Sequence, residues 1–472
     1  MDSKKLYPNA SRLFSKIMYE TKYEDLDQLL IDRMKIRIAD SIGVTVAGRY
    51  GVGNEMVYSL LTEYGGREEA SVYNLGGKMP AMNAAFFNSL QMRSNDFEPC
   101  HADGKSPKGH PAHITCSVFP AAFAVGEREG ASGKEIMTAI AVGDDLGARL
   151  SAAIGFNTNG LFDSNGTLNG MAAAACSAKL SGLDEEQIHH TLGIALNTLG
   201  GPMASTMEHS WLFKFPNANS ARNGVFAADM ARHGFTGIED PILGKKCFID
   251  MFSINPNIDN LFENIGEVRY GEVIIKPYSS CCATHHAIKS ILAATGGRAY
   301  NPEEVKEIRV HMFASKVAIV GGLWEPGEAS QPFASFSVQA TACNAVLHGG
   351  VYPEHQTPEA LAGEKFQTML TKYRQIPDLQ EKDGLAAKVE VELVDGTILS
   401  GECDEVRPGN MTDSDPLSIE YIKDKFLRNM KFGAQMSTEQ AEEIWNVCMN
   451  FEQLESMETL AKLLVSPERI HS

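Results

Sequence analysis

Residues 166–176 read Gly-Thr-Leu-Asn-Gly-Met-Ala-Ala-Ala-Ala-Cys, and this stretch constrains the fold more than any other. Four consecutive alanines beside other small or apolar residues predict a helix that neighbouring helices can approach closely. Such a helix suits the centre of a tightly packed bundle. Gly143 and Gly147, four residues apart in the preceding predicted helix, would allow the same close approach. The sequence therefore predicts a helical core around this stretch.

Other segments before about residue 265 also predict helices joined by short Gly, Pro and Asn connections. Ser132–Glu135 and Asp184–Gln187 have the capping-box pattern, in which the first and fourth side chains each bond the other's backbone N–H. Pro120 is expected at a helix start, where its missing N–H costs nothing. The first half of the chain is thus predicted to be helical.

The pattern changes after about residue 265, where β-strands are predicted. Residues 308–312 and 389–393 alternate apolar and polar side chains, and Asp395-Gly396 predicts a hairpin turn with positive φ at both central residues. Helices resume near Ser437, which begins another capping box. The predicted fold is mainly α with an inserted α+β lid. Its domains are a discontinuous helical domain at 1–266 and 407–472 and the lid at 267–406.

Charge and cysteine content exclude several classes of protein. With 60 acidic and 42 basic residues and a net charge of −18, the chain lacks the basic surface that nucleic acids or anionic membranes need. Nine irregularly spaced cysteines do not suggest a disulfide framework, and adjacent Cys281 and Cys282 would form a strained bridge. No secretory signal or membrane-spanning stretch is recognisable. We expect a soluble, cytoplasmic protein.

Three segments gather side chains suited to catalysis. Residues 94–116 place Asp96 among further carboxylates and histidines, residues 276–286 combine lysine, cysteines and histidines, and residues 208–224 hold Lys214 among aromatic residues. The alternative interpretations are a solvated polar loop, a capped helix start with buried thiols, and a surface lysine whose stem lies on apolar neighbours.

Together these segments supply carboxylate, imidazole and ammonium groups. This set suits proton abstraction next to a carboxylate, because a base takes the α-proton while cations stabilise the enolate. Pro99 stands where a Walker-type phosphate loop needs its first glycine. His110 and His113 lack the i, i+4 spacing that puts two zinc ligands on one helix face. We therefore expect an enzyme without a cofactor or a metal.

Four motifs follow one another along nearly the whole chain: Asn95–Cys100 with His110-Pro111 after it, the Gly and Ala helix of residues 166–175, the lysine segment 214–224, and Lys276–His285. In this order they resemble the MmgE/PrpD family, which includes 2-methylcitrate dehydratase, cis-aconitate decarboxylase and iminodisuccinate epimerase. The first resembles the family's Asp-Phe-Asp-Asp-Thr segment and a following His-Pro. The last contains its Lys-Pro-Tyr-x-x-Cys-x-x-x-His motif intact.

The resemblance implies an active site in the cleft between the helical domain and the lid, in a homodimer acting on a small anionic carboxylate. It implies two groups of site residues: Asp96, His110, Asp163, Lys214 and His285 as catalytic groups, and Cys100, His101, Lys276, Tyr278 and Cys281 as substrate-binding or wall residues. Asp96 or a histidine would be the base. Lys214 with His110 would hold substrate carboxylates or the enolate.

Three positions depart from the family pattern. Cys100 stands where members commonly have Thr, and Asp163 where lyases of the family often have a histidine. Phe336-Ser337 resembles the family's Phe-Ser pair, and Ala340 stands where a Tyr often follows that pair. An ionised Asp163 would repel a tricarboxylate. This charge argues against cis-aconitate and 2-methylcitrate as the substrates.

The leading functional hypothesis is a lyase that abstracts the α-proton of a small polycarboxylate and eliminates a β-group or CO₂. An epimerase or isomerase of a dicarboxylate or amino-dicarboxylate would use the same carbanion and return the proton to the other face. Two further alternatives are a non-catalytic dimeric relative and a metal-dependent hydrolase built on His101, Asp103, His110 and His113.

Overall fold

The computed structural model of the chain describes residues 9–101, 113–155, 160–267, 270–271, 273–325, 327, 330–380, 383–404 and 417–465, with the backbone alone described for His101. Within these residues the protein is mainly helical, and a smaller part combines helices with a four-stranded sheet. The predicted fold class is confirmed. No helix in the described ranges is both long and apolar enough to cross a bilayer.

Helices from both ends of the chain share one hydrophobic core. They span Ala10–Glu20, Gln28–Ala47, Asn54–Tyr64, Ala81–Arg93, Thr115–Glu129, Gly133–Ile154, Leu168–Leu180, Glu185–Ala195, Phe215–Arg232, Phe248–Phe252, Asp259–Phe262, Ile419–Ala434, Thr438–Met449 and Met457–Leu464. The short helix Ala204–Met207 has no buried residue and contributes nothing to this core. Phe119 and Phe426 both belong to this core, although one precedes the α+β part and the other follows it. The chain thus leaves the helical part and returns to it.

The alanine-rich helix Leu168–Leu180 lies at the centre of this core, as predicted. All its residues except Lys179 are buried. A Cβ added at Gly143 would lie 2.7 Å from the Ala172 carbonyl oxygen, and one at Gly224 would lie 2.7 Å from the Ala173 Cβ. Because such distances are too short for real Cβ atoms, glycine is required where the neighbouring helices cross this one.

Most of the predicted helix ends are confirmed, and one is wrong. Ser132, Asp184 and Ser437 each form a complete capping box. Pro120, however, lies inside the helix Thr115–Glu129 and does not begin it. A proline there leaves the carbonyl four residues earlier, that of Cys116, without its helical donor. The Ser89 hydroxyl donates to that carbonyl at 2.5 Å and compensates for the loss.

The α+β part has a second hydrophobic core between its helices and a sheet. Its helices are His285–Thr295, Ala314–Val320, Gln331–Ser335, Val338–His348, Pro358–Ala362 and Glu364–Leu370. The chain's strands are β1 Ala70–Ser71, β2 Lys78–Met79, β3 Cys100–His101, β4 Val273–Ile274, β5 Val305–Phe313, β6 Tyr373–Leu379, β7 Ala387–Leu393 and β8 Ile398–Cys403. The sheet order is β6-β5-β7-β8, with β6 parallel to β5 and the other pairs antiparallel. The predicted boundaries at 266 and 406 stay a prediction.

The predicted hairpin is present, but its turn differs from the expected one. Strands β7 and β8 pair antiparallel around Asp395 and Gly396. Only Gly396 has a positive φ, +89°, and the backbone N–H of Leu393 donates to the Thr397 carbonyl. Three residues therefore form the loop, and in loops of that length a single left-handed glycine suffices.

One short strand pair connects the two parts of the chain. Strand β3 pairs antiparallel with β4, and Cys100 lies opposite Ile274. The loop that follows helix Ala81–Arg93 is thereby held next to the segment that begins at Lys276. Two motifs that are distant in sequence meet at this point.

Candidate functional site

A buried cluster of opposite charges lies where this loop meets the segment after β4. Asp96 Oδ1 accepts hydrogen bonds from Lys276 Nζ at 2.5 Å and from Arg93, and none of the three side chains is more than 3% exposed. Burial opposes ionisation of Asp96, but Arg93 and then Lys276 hold its pKa below its usual range. Asp96 is therefore a weakly basic carboxylate, which argues against the predicted role as catalytic base.

The backbone of Asp96 also depends on these ion pairs. Its φ is +46°, a left-handed conformation that is unfavourable for a residue with a Cβ. Lys276 Nζ donates to the Asp96 backbone carbonyl at 2.8 Å as well as to the side chain. The Lys276 ammonium thus holds both the backbone carbonyl and the side-chain carboxylate of a strained residue in place.

Glu98 and His113 form a second pair in the cluster. Glu98 Oε1 accepts from Arg93 at 3.1 Å and is hydrogen bonded to His113 Nδ1. When Nδ1 donates to a carboxylate, Nε2 carries the lone pair of a base. The His113 side chain is 19% exposed, whereas that of Glu98 is fully buried. His113 is thus the member of the cluster that a substrate can reach.

The same residues offer a set of metal ligands with unsuitable electrostatics. Asp96, Glu98 and His113 each present a ligand atom within 4.8 Å of the others. Arg93 and Lys276 already neutralise the two carboxylates, so a divalent cation would meet two buried positive charges. The donor set therefore fits a metal poorly. That the protein works without one stays a prediction.

Lys214 is a buried lysine with no carboxylate within ion-pair distance among the described residues. Its ammonium donates to the Val52 carbonyl at 2.6 Å, to Asn54 Oδ1 at 2.6 Å and to Ser94 Oγ at 3.3 Å. The residue is 3% exposed, and burial lowers its pKa to about 7. Because Ser94 lies two residues before Asp96, Lys214 contacts the same loop as the charge cluster.

Aromatic side chains connect the lysine segment to the cluster and to the α+β part. The Arg93 guanidinium lies 5.1 Å from the centre of the Phe213 ring, next to Lys214 in sequence. Phe213 in turn packs edge-on against Phe336 at 5.6 Å between ring centres. The ring contact therefore brings the lysine segment against the α+β part.

Asp163 lies near His113, but both its oxygens are already hydrogen bonded. Oδ1 accepts from the Asn165 backbone N–H at 2.9 Å, and Oδ2 accepts from the Thr206 hydroxyl at 3.1 Å. Asn165 Oδ1 accepts from the His113 backbone N–H at 3.0 Å. The Asp163 carboxylate thus shapes the turn that holds His113, and these bonds compete with any role as a base.

The Lys276–His285 motif folds around one backbone carbonyl. The Ser280 oxygen accepts from Lys276 Nζ at 3.3 Å and lies 3.2 Å from His285 Nε2. The His285 ring packs edge-on against Tyr278 at 5.2 Å between centres. Burial, and then the Lys276 charge, lowers the pKa of His285 to about 3. A neutral imidazole can donate or accept a hydrogen bond with a substrate. It carries no positive charge that would attract an anion.

Cysteines border the cluster. Cys100 Sγ lies 3.5 Å from Cys282 Sγ, and the Cys281 backbone N–H donates to the Ser335 carbonyl at 2.9 Å. Burial raises the pKa of Cys281 to about 12. His110 and the side chain of His101, both predicted site residues, lie outside the described residues.

A third buried lysine supports the cluster from the helices that follow the α+β part. Lys425 Nζ lies 2.7 Å from Asp40 Oδ1 and donates to the backbone carbonyls of Phe97 at 3.1 Å and Lys276 at 2.9 Å. It also lies 3.8 Å from the centre of the Phe97 ring. Because Phe97 stands between the two carboxylates of the cluster, this lysine fixes the backbone that carries them.

The sequence alone predicts no site role for several of these groups, namely Asn54, Arg93, Ser94, Glu98, Cys282 and Lys425. Arg93 stands three residues before Asp96, a spacing that could have suggested an ion pair. His113 was considered only as a zinc ligand. For Asn54 and Lys425 no local signal exists, since tertiary contacts alone bring them to the loop.

Comparison with known proteins agrees with this architecture. Residues 12–260 match the MmgE/PrpD N-terminal domain, and residues 278–450 match the MmgE/PrpD C-terminal domain. The chain therefore belongs to the MmgE/PrpD family, as its motifs predicted. Over 235 residues it is 27% identical to the cis-aconitate decarboxylase-like protein oryM of Aspergillus oryzae. That match covers 47% of this chain and 46% of the relative, so the chain spans about half the length of this curated relative.

Proposed function

We propose that the protein is a lyase that removes the proton α to a carboxylate of a small dicarboxylate or polycarboxylate and then eliminates a β-group or CO₂. The observation that carries this proposal is that the loop of residues 94–98 contacts both a reachable imidazole, His113, and a buried lysine, Lys214, that lacks a carboxylate partner among the described residues. Family membership and the decarboxylase-like relative support the same class of reaction.

His113 would act as the base in this reaction. Glu98 orients its ring and would stabilise the imidazolium that forms when Nε2 takes the α-proton. Asp96 and Lys276, both inaccessible, would hold the loop in place. Of the two predicted alternatives for the base, Asp96 or a histidine, this assignment takes a histidine that a substrate can touch.

Lys214 would bind the carboxylate whose negative charge grows as the enolate forms. Its neighbours Val52, Asn54 and Ser94 are neutral acceptors, so its positive charge is not cancelled locally. A substrate carboxylate that displaces the Ser94 hydroxyl, the most distant of the three acceptors at 3.3 Å, would supply the missing counter-charge. In a buried setting such a pair is stronger than in water.

Proton exchange in D₂O tests the proposal directly. The protein is incubated with di- and tricarboxylates, amino-dicarboxylates and 2-hydroxy acids, and the α-proton is followed by NMR. We expect exchange together with elimination or loss of CO₂ for one class. Exchange with only stereochemical change would support the epimerase. Silence across the panel, with a bound metal found by elemental analysis, would favour a hydrolase.

A pair of histidine variants assigns the base. His113→Asn is expected to lower the exchange rate at least 100-fold, within the range for loss of a general base. His190→Asn is the matched control, because that side chain is 20% exposed and lies in a helix away from the cluster. Equal rates for the two variants would remove His113 from the mechanism.

The pH dependence of the reaction is expected to follow Lys214. Its pKa of about 7 means that the free enzyme loses this positive charge as pH rises above neutrality. kcat/KM, which reports the free enzyme, should therefore fall on the alkaline side of about pH 7. A bound carboxylate stabilises the ammonium, so binding at pH 8 should take up a proton. Calorimetry in buffers of different ionisation enthalpy measures that uptake, and its absence would contradict the assigned role.

A further inference from the structure

Two cysteines from distant parts of the chain touch at the edge of the candidate site. Cys100 lies in strand β3 at the end of the site loop, and Cys282 begins the turn before helix His285–Thr295. Their Sγ atoms are 3.5 Å apart although the residues are 182 positions apart in sequence. With Ile274 they form a small apolar cluster separate from the two large cores. The contact therefore lies outside both large cores.

The distance suits a thiol pair that can become a disulfide. A bonded pair has its sulfurs about 2.05 Å apart, so the thiols need to approach by only about 1.5 Å. Cys282 is partly exposed, whereas Cys100 is buried behind it. A small oxidant can thus reach one sulfur, and the second is in place to complete the bond.

The electrostatic surroundings favour Cys282 as the reactive thiol. The hydrogen bond from Cys100, and the nearby Lys276 ammonium, lower the pKa of Cys282 to about 6. The thiolate is the form of cysteine that attacks an oxidant. Its neighbour Cys281, with a pKa raised to about 12 by burial, remains a thiol.

We propose that Cys100 and Cys282 form a reversible disulfide, which adds a covalent link between the loop of Asp96 and the turn of residues 280–284 that Lys276 already bridges by hydrogen bonds to Asp96 and Ser280. The bond would tie together the two segments that carry the charge cluster and His285. Formation of the bond does not depend on the proposed function, since it needs only the two thiols and an oxidant.

A peroxide is the oxidant required. The Cys282 thiolate attacks one peroxide oxygen, the O–O bond breaks, and the protein gains a sulfenic acid while the leaving oxygen takes a proton to become water or an alcohol. The Cys100 sulfur then attacks the sulfenic sulfur. The S–S bond forms, the S–O bond breaks, and the departing hydroxide leaves as water with the Cys100 proton. Two thiols are oxidised and one peroxide is reduced. A dithiol reduces the disulfide back to two thiols by thiol–disulfide exchange and is itself oxidised.

Peptide mapping tests the bond itself. The full chain is treated with a small excess of hydrogen peroxide, alkylated and digested with trypsin without reduction. We expect a linked pair of peptides 94–105 and 270–289 in the wild type and in Cys281→Ser, and none in Cys100→Ser or Cys282→Ser. Cys281 shares a peptide with Cys282, so Cys281→Ser is the control that assigns the sulfur. Absence of the linked pair from the wild type, or its persistence in Cys282→Ser, would overturn the proposal.

Hydrogen exchange tests, without relying on catalysis, whether the bond restricts local opening of the turn. Oxidation should slow amide exchange in residues 280–284 at least tenfold in the wild type, leave Cys282→Ser unchanged, and be reversed by dithiothreitol. If the reduced protein shows α-proton exchange, that activity should fall at least tenfold on oxidation and return on reduction. An inactive reduced protein that still forms the bond would refute the proposed function alone. A bond formed without added amide protection would refute the switch.

Discussion

Lys214→Met is expected to lower the α-proton exchange rate by roughly 100-fold to 1,000-fold, the usual cost of removing one preorganised group that stabilises developing negative charge. The reason is that Lys214 is the buried cation without a carboxylate partner in the described part of the site. The rate is measured by NMR in D₂O at saturating and at low substrate, so that effects on kcat and on KM are separated.

The same substitution is expected to change the free energy of unfolding at pH 7 by no more than about 2 kcal/mol. Loss of the ammonium leaves the Val52 carbonyl and Asn54 Oδ1 unsatisfied, at about 1–3 kcal/mol for a buried acceptor. Removal of a poorly solvated charge offsets that cost. Because the pKa of Lys214 is lowered in the folded state, the unfolded chain binds more protons between about pH 7 and 10.5. The wild type therefore gains stability over that range, and the variant should lack this gain.

Lys179→Met is the matched control for this experiment. Lys179 is also partly buried, and its ammonium donates to the Tyr19 carbonyl at 2.8 Å, far from the loop of Asp96. We expect the Lys179→Met variant to exchange the α-proton of the substrate at the wild-type rate. Unchanged exchange in Lys214→Met would show that this lysine does not contact the substrate.

Lys276→Met should lower the free energy of unfolding by about 3–5 kcal/mol, because the buried carboxylate of Asp96 loses one of its two cationic partners. This is the largest loss expected for any lysine substitution proposed for this chain. Asp96 would keep Arg93 alone, and Glu98 already shares that guanidinium. The strained backbone at Asp96 would also lose the donor to its carbonyl. Urea denaturation measures the change, with the slope of the transition checked for constancy.

Two comparisons sharpen this result. Lys306→Met removes an exposed ion pair with Glu392, whose atoms are 2.6 Å apart, and should cost at most about 1 kcal/mol. The double variant Lys276→Met with Asp96→Asn should be more stable than Lys276→Met alone, since the uncompensated charge is gone. A loss below 1 kcal/mol for Lys276→Met would contradict a structural role for the cluster.

Features with a local cause were predictable from the sequence. The capping boxes depend on two side chains three residues apart, and the alanine-rich helix depends on its own composition. The hairpin was predicted for the same reason, although its exact turn was not. Pro120 was misplaced because the donor that permits it inside a helix, Ser89, lies 27 residues before the carbonyl it satisfies.

The site was only partly predictable, because its chemistry is set by contacts over long separations. Asp96 and Lys276 were named as site residues, but nothing local showed that they neutralise each other across 180 positions. That pairing is what turns Asp96 from a potential base into a fixed anion. His113 became a candidate only when Glu98 was seen to orient it and its exposure was known. Burial and pairing are properties of the folded chain.

Lys425 has a consequence for the order in which this protein is made. The ribosome synthesises it 328 residues after Phe97, whose carbonyl it binds. At roughly 5–20 residues per second, that is a delay on the order of tens of seconds. Until then the carboxylate of Asp40, fully buried in the finished protein, lacks the cation that lies beside it there. Synthesis of the α+β part therefore comes before the contact that links Lys425 to Asp40 and to the loop of both site carboxylates.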